Sequence, residues 1–209
     1  MLGFTKDPFP CVRNAALQGL VRVCDSGVVV EDSKIIEGCF FRSVELLNDH
    51  EDYVRLSAIR AVSQWGCMLA ASKHEEEDTR DWYDGVFLQI CSMVRDMNVG
   101  VRVEAFTALG RIAFVSQDIL LQTLSKKVLV ITKEKQSLTL SSSKAHKMHS
   151  AIAAGAFVHG LEDEYNEVKQ SLWAIFFKLL ENSFCADLYL NSLFYQLWKD
   201  DYQLLALCP

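Results

Sequence analysis

Residues 49–62 read D-H-E-D-Y-V-R-L-S-A-I-R-A-V and pass directly from acidic residues into the apolar spacing of a helix. Arg55 follows Val54 at the predicted start of this helix. A catalytic arginine would occur once in the chain, whereas an architectural arginine would recur at the same position of a structural repeat. This stretch therefore directs attention to internal repeats.

Three other segments match this stretch when the basic residue is the reference point. They are D-P-F-P-C-V-R-N-A-A-L-Q-G-L from Asp7, D-M-N-V-G-V-R-V-E-A-F-T-A-L from Asp96 and D-E-Y-N-E-V-K-Q-S-L-W-A-I-F from Asp163. In every segment an Asp lies six positions before the basic residue, and a Val lies directly before it. Small or apolar residues follow at the spacing of one helix face. The pairs are Asp7 and Arg13, Asp49 and Arg55, Asp96 and Arg102, and Asp163 and Lys169.

The spacing of these segments predicts the fold. The basic residues are 42, 47 and 67 residues apart, and HEAT or armadillo repeats have a period of about 40–47 residues. The longest spacing predicts an insertion between Arg102 and Lys169. We therefore expect an all-α fold, a HEAT/armadillo-type α-solenoid of about four two-helix repeats whose stacking forms the core.

Helical spacing between the segments predicts the partner helix of each repeat. These helices run from Asp32 or Ser33 to about Leu47, from Asp78 or Thr79 to about Arg95, and from Ala151 to Leu161. No helix is predicted before Asp7. The predicted organisation is repeats 1–3 in residues 1–131, a lysine- and serine-rich flexible insertion at 132–147, repeat 4 at 148–183 and a divergent helical tail at 184–209.

The recurring Asp and Arg are interpreted as architecture. Each Asp is placed to accept hydrogen bonds from free backbone N–H groups, and each Arg is placed to reach that Asp or the equivalent Asp of the next repeat. We expect these pairs to form a structural ladder that fixes the stacking register. Lys169 departs from the pattern because an ammonium lacks the bidentate guanidinium fork. A second hypothesis is that Arg13, Arg55 and Arg102 converge on a phosphate.

Residues 126–150 are basic, although the whole chain has a formal net charge of −6. Lysines outnumber the single acid, Glu134, and the segment is interpreted first as a solvated loop between repeats. The alternatives are a patch for RNA or another polyphosphate, or a nuclear-import signal. The segment has no Phe, Tyr, Trp or Arg, so base-specific recognition is not expected. The patch lysines are Lys126, Lys127, Lys133, Lys135, Lys144 and Lys147.

The remaining patterns favour a protein that is not an enzyme and needs no cofactor. The acidic run H-E-E-E-D at 74–78 is interpreted as solvated charge near a helix start, and His146 and His149 lack a third metal ligand. Phosphate-loop, dinucleotide and nucleophile-elbow motifs are absent from the sequence. Cys24, Cys67 and Cys91, together with the tryptophans, are predicted to pack in the core.

The cysteine pattern and the N-terminal sequence indicate an intracellular protein. The seven cysteines are scattered without a C-x-x-C, which is typical of reduced thiols in the cytosol or nucleus. The stretch M-L-G-F-T-K-D-P-F-P lacks the basic and apolar regions of a signal peptide.

The stretch G-A-F-V-H-G-L-E-D-E-Y-N-E-V-K, residues 155–169, is more specific than a generic repeat turn. It resembles the Integrator complex subunit 4 family, as do residues 90–110, residues 120–127 and D-P-F-P-C-V-R-N-A-A-L near the start. The resemblance covers residues 5–183. Family members are much longer, and the sequence after Phe184 departs from the repeat pattern, so we expect a fragment, a truncated isoform or a divergent copy.

This resemblance implies a nuclear α-helical scaffold without catalysis of its own. Its implied partners are the subunits of the Integrator endonuclease module, which trims the 3′ ends of small nuclear RNAs. An alternative implied by plant family members is an adaptor that binds mobile transcription factors and supports their transport, with cytoplasmic as well as nuclear localisation. Direct binding of RNA or a polyphosphate through the lysines is a further alternative.

Overall fold

The computed structural model describes residues 1–27, 30, 32–72, 76–112, 114–127 and 151–181, with the side chains of residues 76–78 and 177–181 excepted. These residues form α-helices and short 3-10 helices, and no β-strand occurs among them. The predicted all-α class is therefore confirmed, and the helices pack as they do in an α-solenoid.

The described residues include both α-helices and shorter 3-10 helices. The α-helices are α1 (Pro10–Asp25), α2 (Ser33–Glu45), α3 (Asp52–Ala71), α4 (Glu76–Cys91), α5 (Val99–Leu109), α6 (Gln117–Thr123), α7 (Ala156–Leu161) and α8 (Asn166–Glu181). Three 3-10 helices, Leu2–Lys6, Leu46–Asn48 and Ser92–Arg95, each end directly before one of the recurring aspartates.

The helices that carry the basic residues begin at the same point of each repeat. Arg13, Arg55, Arg102 and Lys169 are the fourth residues of α1, α3, α5 and α8. Each side chain therefore leaves the first turn of its helix, close to the turn that carries the Asp. Successive helices of this set pack against each other, α1 on α3, α3 on α5 and α5 on α8.

The start of α2 agrees with the sequence-based prediction, whereas the start of α4 differs from it. Asp32 caps α2, because its carboxylate accepts a hydrogen bond from the N–H of Lys34 at 2.9 Å. The helix predicted to start at Asp78 or Thr79 begins instead at Glu76. Acidic residues are favoured in the first turn of a helix, so the charged run extends α4 rather than preceding it.

The helix predicted from Ala151 to Leu161 is interrupted. A helical turn at 151–153 is followed by Gly155 with a φ of 64°, and α7 begins after it. The N–H of Gly155 donates to the carbonyl of Gln122 at 3.1 Å, which ties this break to the end of α6. The left-handed backbone is a conformation that glycine adopts at little cost.

Two elements were absent from the expectations. The 3-10 helix Leu2–Lys6 precedes Asp7, and its Thr5 is fully buried and accepts hydrogen bonds from Arg42 at 2.9 Å through Oγ1 and at 2.6 Å through its carbonyl. Helix α6 lies between α5 and the insertion predicted at 132–147, and it packs against α7.

The core is centred on α3, which packs on α1, α2, α4 and α5. Val54, Ile59 and Val62 of this helix are fully buried, and each such side chain contributes about 1.5–3 kcal/mol relative to an exposed one. Gly66 lets α4 approach closely, because an added Cβ would lie 2.5 Å from a methyl carbon of Val86.

Most of the residues predicted to pack in the core do so. Trp65 and Cys91 are buried, whereas Cys24, Cys67, Trp82 and Trp173 are partly buried against the core. Trp198 lies outside the described residues. None of the described helices combines the length and apolar character needed to cross a lipid bilayer.

Candidate interaction site

The described arginines of the predicted ladder each reach forward to the Asp of the following repeat. The guanidinium groups bind the carboxylates with two parallel hydrogen bonds, from Nε to Oδ2 and from Nη2 to Oδ1. The distances are 2.7 and 2.9 Å for Arg13 and Asp49, 2.7 and 2.8 Å for Arg55 and Asp96, and 2.7 and 3.1 Å for Arg102 and Asp163. Bidentate pairs of this kind are among the stronger polar contacts in proteins.

The same arginines also bind their own turn. Nη1 of Arg55 donates to the carbonyls of Asp49 at 2.9 Å and His50 at 3.0 Å. The equivalent carbonyls accept from Arg13 and Arg102. One guanidinium therefore joins the backbone of one repeat to the carboxylate of the next.

Each carboxylate is oriented by a hydrogen bond from a backbone N–H of its own turn. At each of the four aspartates Oδ1 accepts the N–H of the residue two positions later. The donors and distances are Phe9 at 2.9 Å, Glu51 at 3.1 Å, Asn98 at 2.8 Å and Tyr165 at 3.0 Å. The donor residue directly precedes each helix, so the Asp orders the turn. In Asp49, Asp96 and Asp163 the same Oδ1 and the second oxygen, Oδ2, also accept the arginine fork.

Burial and charge make these pairs unlike surface ion pairs. The side chains of Arg55 and Asp96 are 15% and 9% exposed. Burial alone would raise the pKa of Asp96, but the hydrogen bonds from Arg55 and the Asn98 N–H outweigh burial and lower it. The pKa values of Asp49 and Asp163 are lowered in the same way. The hydrogen bond to Asp96 raises the pKa of Arg55, so the ion pair persists across the physiological pH range.

Lys169 differs from the three arginines. It is partly buried, and its charge lowers the pKa of Asp163 within its own repeat. Asp163 receives its fork from Arg102, whose guanidinium also lies 5.5 Å from the centre of the Tyr165 ring. Because Arg13, Arg55 and Arg102 point to separate carboxylates, the structure offers no support for a shared phosphate site.

A second set of polar contacts joins the same helices and was not anticipated from the sequence. The hydroxyl of Ser57 on α3 donates to Oδ1 of Asn14 on α1 at 2.6 Å. Arg60 on α3 donates to Oε2 of Glu104 on α5 at 2.7 Å. Ser57 and Glu104 both lie two positions after the ladder arginine, so this position faces the preceding repeat.

Of the six lysines in the predicted patch, the structure describes Lys126 and Lys127. Lys126 forms an ion pair with Glu162 at 2.6 Å, and the carbonyl of Lys127 accepts hydrogen bonds from Gln122 and Ser125. The other four lysines of the predicted patch, Lys133, Lys135, Lys144 and Lys147, lie outside the described residues, as do His146 and His149.

No group of three or more His, Cys, Asp or Glu residues placed for a metal ion occurs in the described ranges. Of the acids near the run at 74–78, Asp84 accepts a hydrogen bond from the N–H of Ser116 at 2.7 Å. Burial raises the pKa of this carboxyl. Asp84 thus anchors the segment before α6 to helix α4.

The stretch that carries the family resemblance has structural roles in this fold. Gly160 sits against two core side chains, because an added Cβ would lie 2.5 Å from Cζ of Phe106 and 2.9 Å from Cδ2 of Leu172. Phe157 is fully buried. Asp163 completes the ladder with Arg102, so this stretch positions α7 and α8 against α5.

Two exposed aromatic side chains that sequence reasoning did not single out lie on α2 and in the segment before α6. Phe41 on α2 is 52% exposed and packs with its ring centre 6.3 Å from that of Trp82 on α4. Phe114 is 64% exposed, with its ring centre 5.6 Å from that of Tyr83. We call Phe41, Trp82, Tyr83 and Phe114 the aromatic row. Aromatic residues are enriched in protein–protein interfaces.

The ladder and the stacked helices define the chain as an α-solenoid of the HEAT/armadillo type, a class that presents extended surfaces to other macromolecules. No protein-family model matches the chain. The chain is 50% identical over 182 residues to the protein SIEL of Arabidopsis thaliana, which covers 87% of the chain. It is 28% identical over 198 residues to Integrator complex subunit 4 of Homo sapiens, which covers 79% of the chain. A homologue of that subunit in Dictyostelium discoideum is 33% identical over 137 residues, 65% of the chain and 11% of the homologue.

By sequence the chain matches the Integrator complex subunit 4 family, and the resemblance predicted from residues 5–183 is confirmed. The human and Dictyostelium relatives are named as a complex subunit rather than as an enzyme, which agrees with the expectation of a non-catalytic protein. The chain spans about a fifth of the length of the relatives, 19% of SIEL and 20% of the human subunit.

Proposed function

We propose that the chain is a non-catalytic interaction scaffold that acts in an Integrator-type complex in the nucleus and supports 3′-end processing of small nuclear RNAs. The supporting observation is the combination of a laddered α-solenoid with sequence similarity to Integrator complex subunit 4. The proposed partners are subunits of the endonuclease module of that complex. We also propose the domain organisation predicted from the sequence: repeats 1–3 at 1–131, the insertion at 132–147, repeat 4 at 148–183 and the helical tail at 184–209.

The aromatic row is the surface proposed to contact these subunits. Its two outer rings, Phe41 and Phe114, are more than half exposed, whereas the central apolar residues of the stacking helices, such as Val54, Ile59 and Val101, are fully buried. Burying a large aromatic side chain in an interface contributes more than burying most other residues. The ladder, by contrast, is occupied by contacts within the chain and serves to hold the surface in shape.

Affinity purification of the chain from nuclear extract, followed by mass spectrometry, tests this function. We expect recovery of endonuclease-module subunits, and we expect the double variant Phe41→Ser, Phe114→Ser to reduce that recovery several-fold. Met97→Ser is the matched control, because Met97 is 98% exposed on the turn before α5 and outside the row. Thermal denaturation of each variant separates loss of the surface from loss of the fold.

The second candidate is the adaptor for transcription factors that the resemblance to plant family members implies. It is favoured by the identity of the chain to SIEL, a plant protein, which is higher than its identity to the human subunit. Recovery of transcription factors without endonuclease subunits would replace the scaffold proposal by the adaptor. Recovery of either class only in the presence of RNA, abolished by ribonuclease, would contradict both and favour the lysine patch.

A further inference from the structure

The aromatic row consists of two ring pairs on different sides of α4. Trp82 packs with Phe41 of α2, with ring centres 6.3 Å apart, and Tyr83 packs with Phe114, with ring centres 5.6 Å apart. Trp82 and Tyr83 are successive residues of a helix, so their side chains leave α4 about 100° apart. The row therefore extends from α2 across α4 to the segment before α6.

The exposed rings lie between neighbouring elements of the fold. Helix α2 contacts the 3-10 helix Leu2–Lys6, where Arg42 donates to Thr5, whereas Phe41 lies on the side of α2 that meets α4. Phe114 lies between α5 and α6 in the chain. Packing within the repeats thus places both rings but leaves each more than half exposed.

One face of α4 beside the row is open. Asp81, Gly85 and Gln89 are four positions apart and share this face, which we call the outer face of α4. Asp81 and Gln89 are exposed. In the part of the chain that the structure describes, no atom lies within 4 Å of a Cβ added to Gly85. A long side chain from another molecule therefore has room to lie across α4 next to Trp82.

The charge of α4 selects a basic occupant. Its sequence has a single base, Arg80, against five acids, Glu76, Glu77, Asp78, Asp81 and Asp84. Burial and the nearby charge of Asp81 raise the pKa of Asp84. A positive group at the outer face would relieve the repulsion between these carboxylates, and complementary charge favours such a partner over an acidic one.

The combination of carboxylate and aromatic ring favours arginine over lysine. A guanidinium pairs with a carboxylate and also stacks on an aromatic ring, whereas an ammonium is a compact and strongly hydrated charge. The fold contains one example of this chemistry. The guanidinium of Arg102 binds Asp163 and lies 5.5 Å from the centre of the Tyr165 ring.

We propose that the aromatic row and the outer face of α4 together form a docking surface for an arginine-rich segment of a partner protein. An arginine of this segment pairs with Asp81 and stacks on the exposed rings beside it. The inference rests on the proposed function, because it specifies the chemistry of the partner that the aromatic row contacts.

Fluorescence anisotropy with the full chain and labelled hepta-arginine tests this chemistry, with labelled hepta-lysine as the comparison. Measurement near physiological ionic strength screens long-range attraction between exposed charges. We expect hepta-arginine to bind several-fold more tightly than hepta-lysine, because only the guanidinium both pairs and stacks.

Two variants locate the binding. Asp81→Asn removes one carboxylate, and Phe41→Leu keeps an apolar side chain but removes the ring. Each should weaken hepta-arginine binding about two- to fivefold, and Phe41→Leu should also narrow the difference from hepta-lysine. Glu167→Gln is the matched control, because Glu167 is an exposed acid on α8 and its loss changes the net charge equally. Thermal denaturation checks that each variant remains folded.

Four results would overturn the inference. Equal affinity for the two peptides, or equal weakening by Glu167→Gln and Asp81→Asn, would show attraction by net charge alone. Tighter hepta-arginine binding after Lys133, Lys135, Lys144 and Lys147 are changed to Ala would make the chain's own insertion the occupant. Self-association that Asp81→Asn abolishes would make a second copy the occupant.

This experiment can fail independently of the proposed function, because it contains no Integrator subunit. If hepta-arginine does not bind but Phe41→Ser, Phe114→Ser still reduces recovery of endonuclease subunits, the inference falls and the proposed function stands. If hepta-arginine binds as expected but no endonuclease subunit is recovered, the proposed function alone is contradicted.

Discussion

Nε and Nη2 of Arg55 lie 2.7 and 2.8 Å from the two carboxylate oxygens of Asp96, a residue 41 positions later in the chain. The same guanidinium binds two carbonyls of its own turn through Nη1. A single side chain thus fixes the position of one repeat relative to the next. Since Asp96 is also fixed by the Asn98 N–H, neither partner can move without breaking several hydrogen bonds.

The first prediction concerns this pair. Arg55→Ala leaves Asp96 buried without its cation, and breaking a buried pair costs about 3–5 kcal/mol. For a chain of this size we expect a melting temperature lower by roughly 6–20 °C. Differential scanning calorimetry measures the shift.

Arg55→Lys and Asp96→Asn complete the measurement. The lysine retains the charge but loses the fork, so its effect should lie between those of wild type and Arg55→Ala. A double-mutant cycle with Arg55→Ala and Asp96→Asn should show coupling. Strictly additive effects of the two substitutions would show that the pair does not act as a unit.

The second prediction concerns the glycine in the family stretch. Gly160→Ala places a Cβ within 2.9 Å of Phe106 and Leu172 in the packed core. Overpacking of this kind costs about 1–3 kcal/mol, which chemical denaturation detects. Gly85→Ala is the matched control, because no atom lies within 4 Å of its added Cβ and helix propensity favours alanine by about 1 kcal/mol. Equal stability of the two variants would contradict close packing at Gly160.

The third prediction is acid lability. Asp49, Asp96 and Asp163 have pKa values lowered in the folded state. Their contribution to stability is therefore present above the unfolded pKa of about 4 and is lost as the pH falls through the folded pKa. We expect the free energy of unfolding to decline below about pH 4. Asp96→Asn should make the free energy of unfolding depend less steeply on pH in this range. An unchanged pH dependence would show that Asp96 does not contribute to the acid lability.

The fourth prediction concerns thiol reactivity. Burial raises the pKa of Cys24 to about 11 and raises that of the fully buried Cys91. The reactive thiolate is therefore scarce at both positions, whereas Cys11 is exposed. Timed labelling with iodoacetamide and peptide mapping should modify Cys11 first, at least roughly tenfold faster than Cys91. Labelling of Cys91 at a comparable rate would show that α4 opens readily.

The register of the repeats could be predicted because it depends on short-range sequence patterns. An Asp six positions before a Val-Arg step and an apolar face at helical spacing both lie within one turn and one helix, so a single sequence reveals them. The sequence could not choose between the Asp of the same repeat and that of the next as the partner of each Arg. That choice depends on the crossing of α3 with α1 and α5, which brings Asp96 to Arg55.

Other features depend on contacts between distant segments. Gly155 breaks the predicted helix because its N–H meets the carbonyl of Gln122, and Arg42 orders the 3-10 helix before Asp7. The aromatic row also forms only when α2, α4 and the segment before α6 lie side by side.

The sequence by itself determined an all-α repeat architecture, the residues of the ladder and the resemblance to Integrator complex subunit 4. Local hydrogen-bonding and helical periodicity are sufficient for these. Only the tertiary structure decided which carboxylate each arginine binds and which apolar side chains remain uncovered. The physical reason is that burial and ion pairing between repeats depend on the distance between helices, and the spacing of residues along one helix does not set that distance.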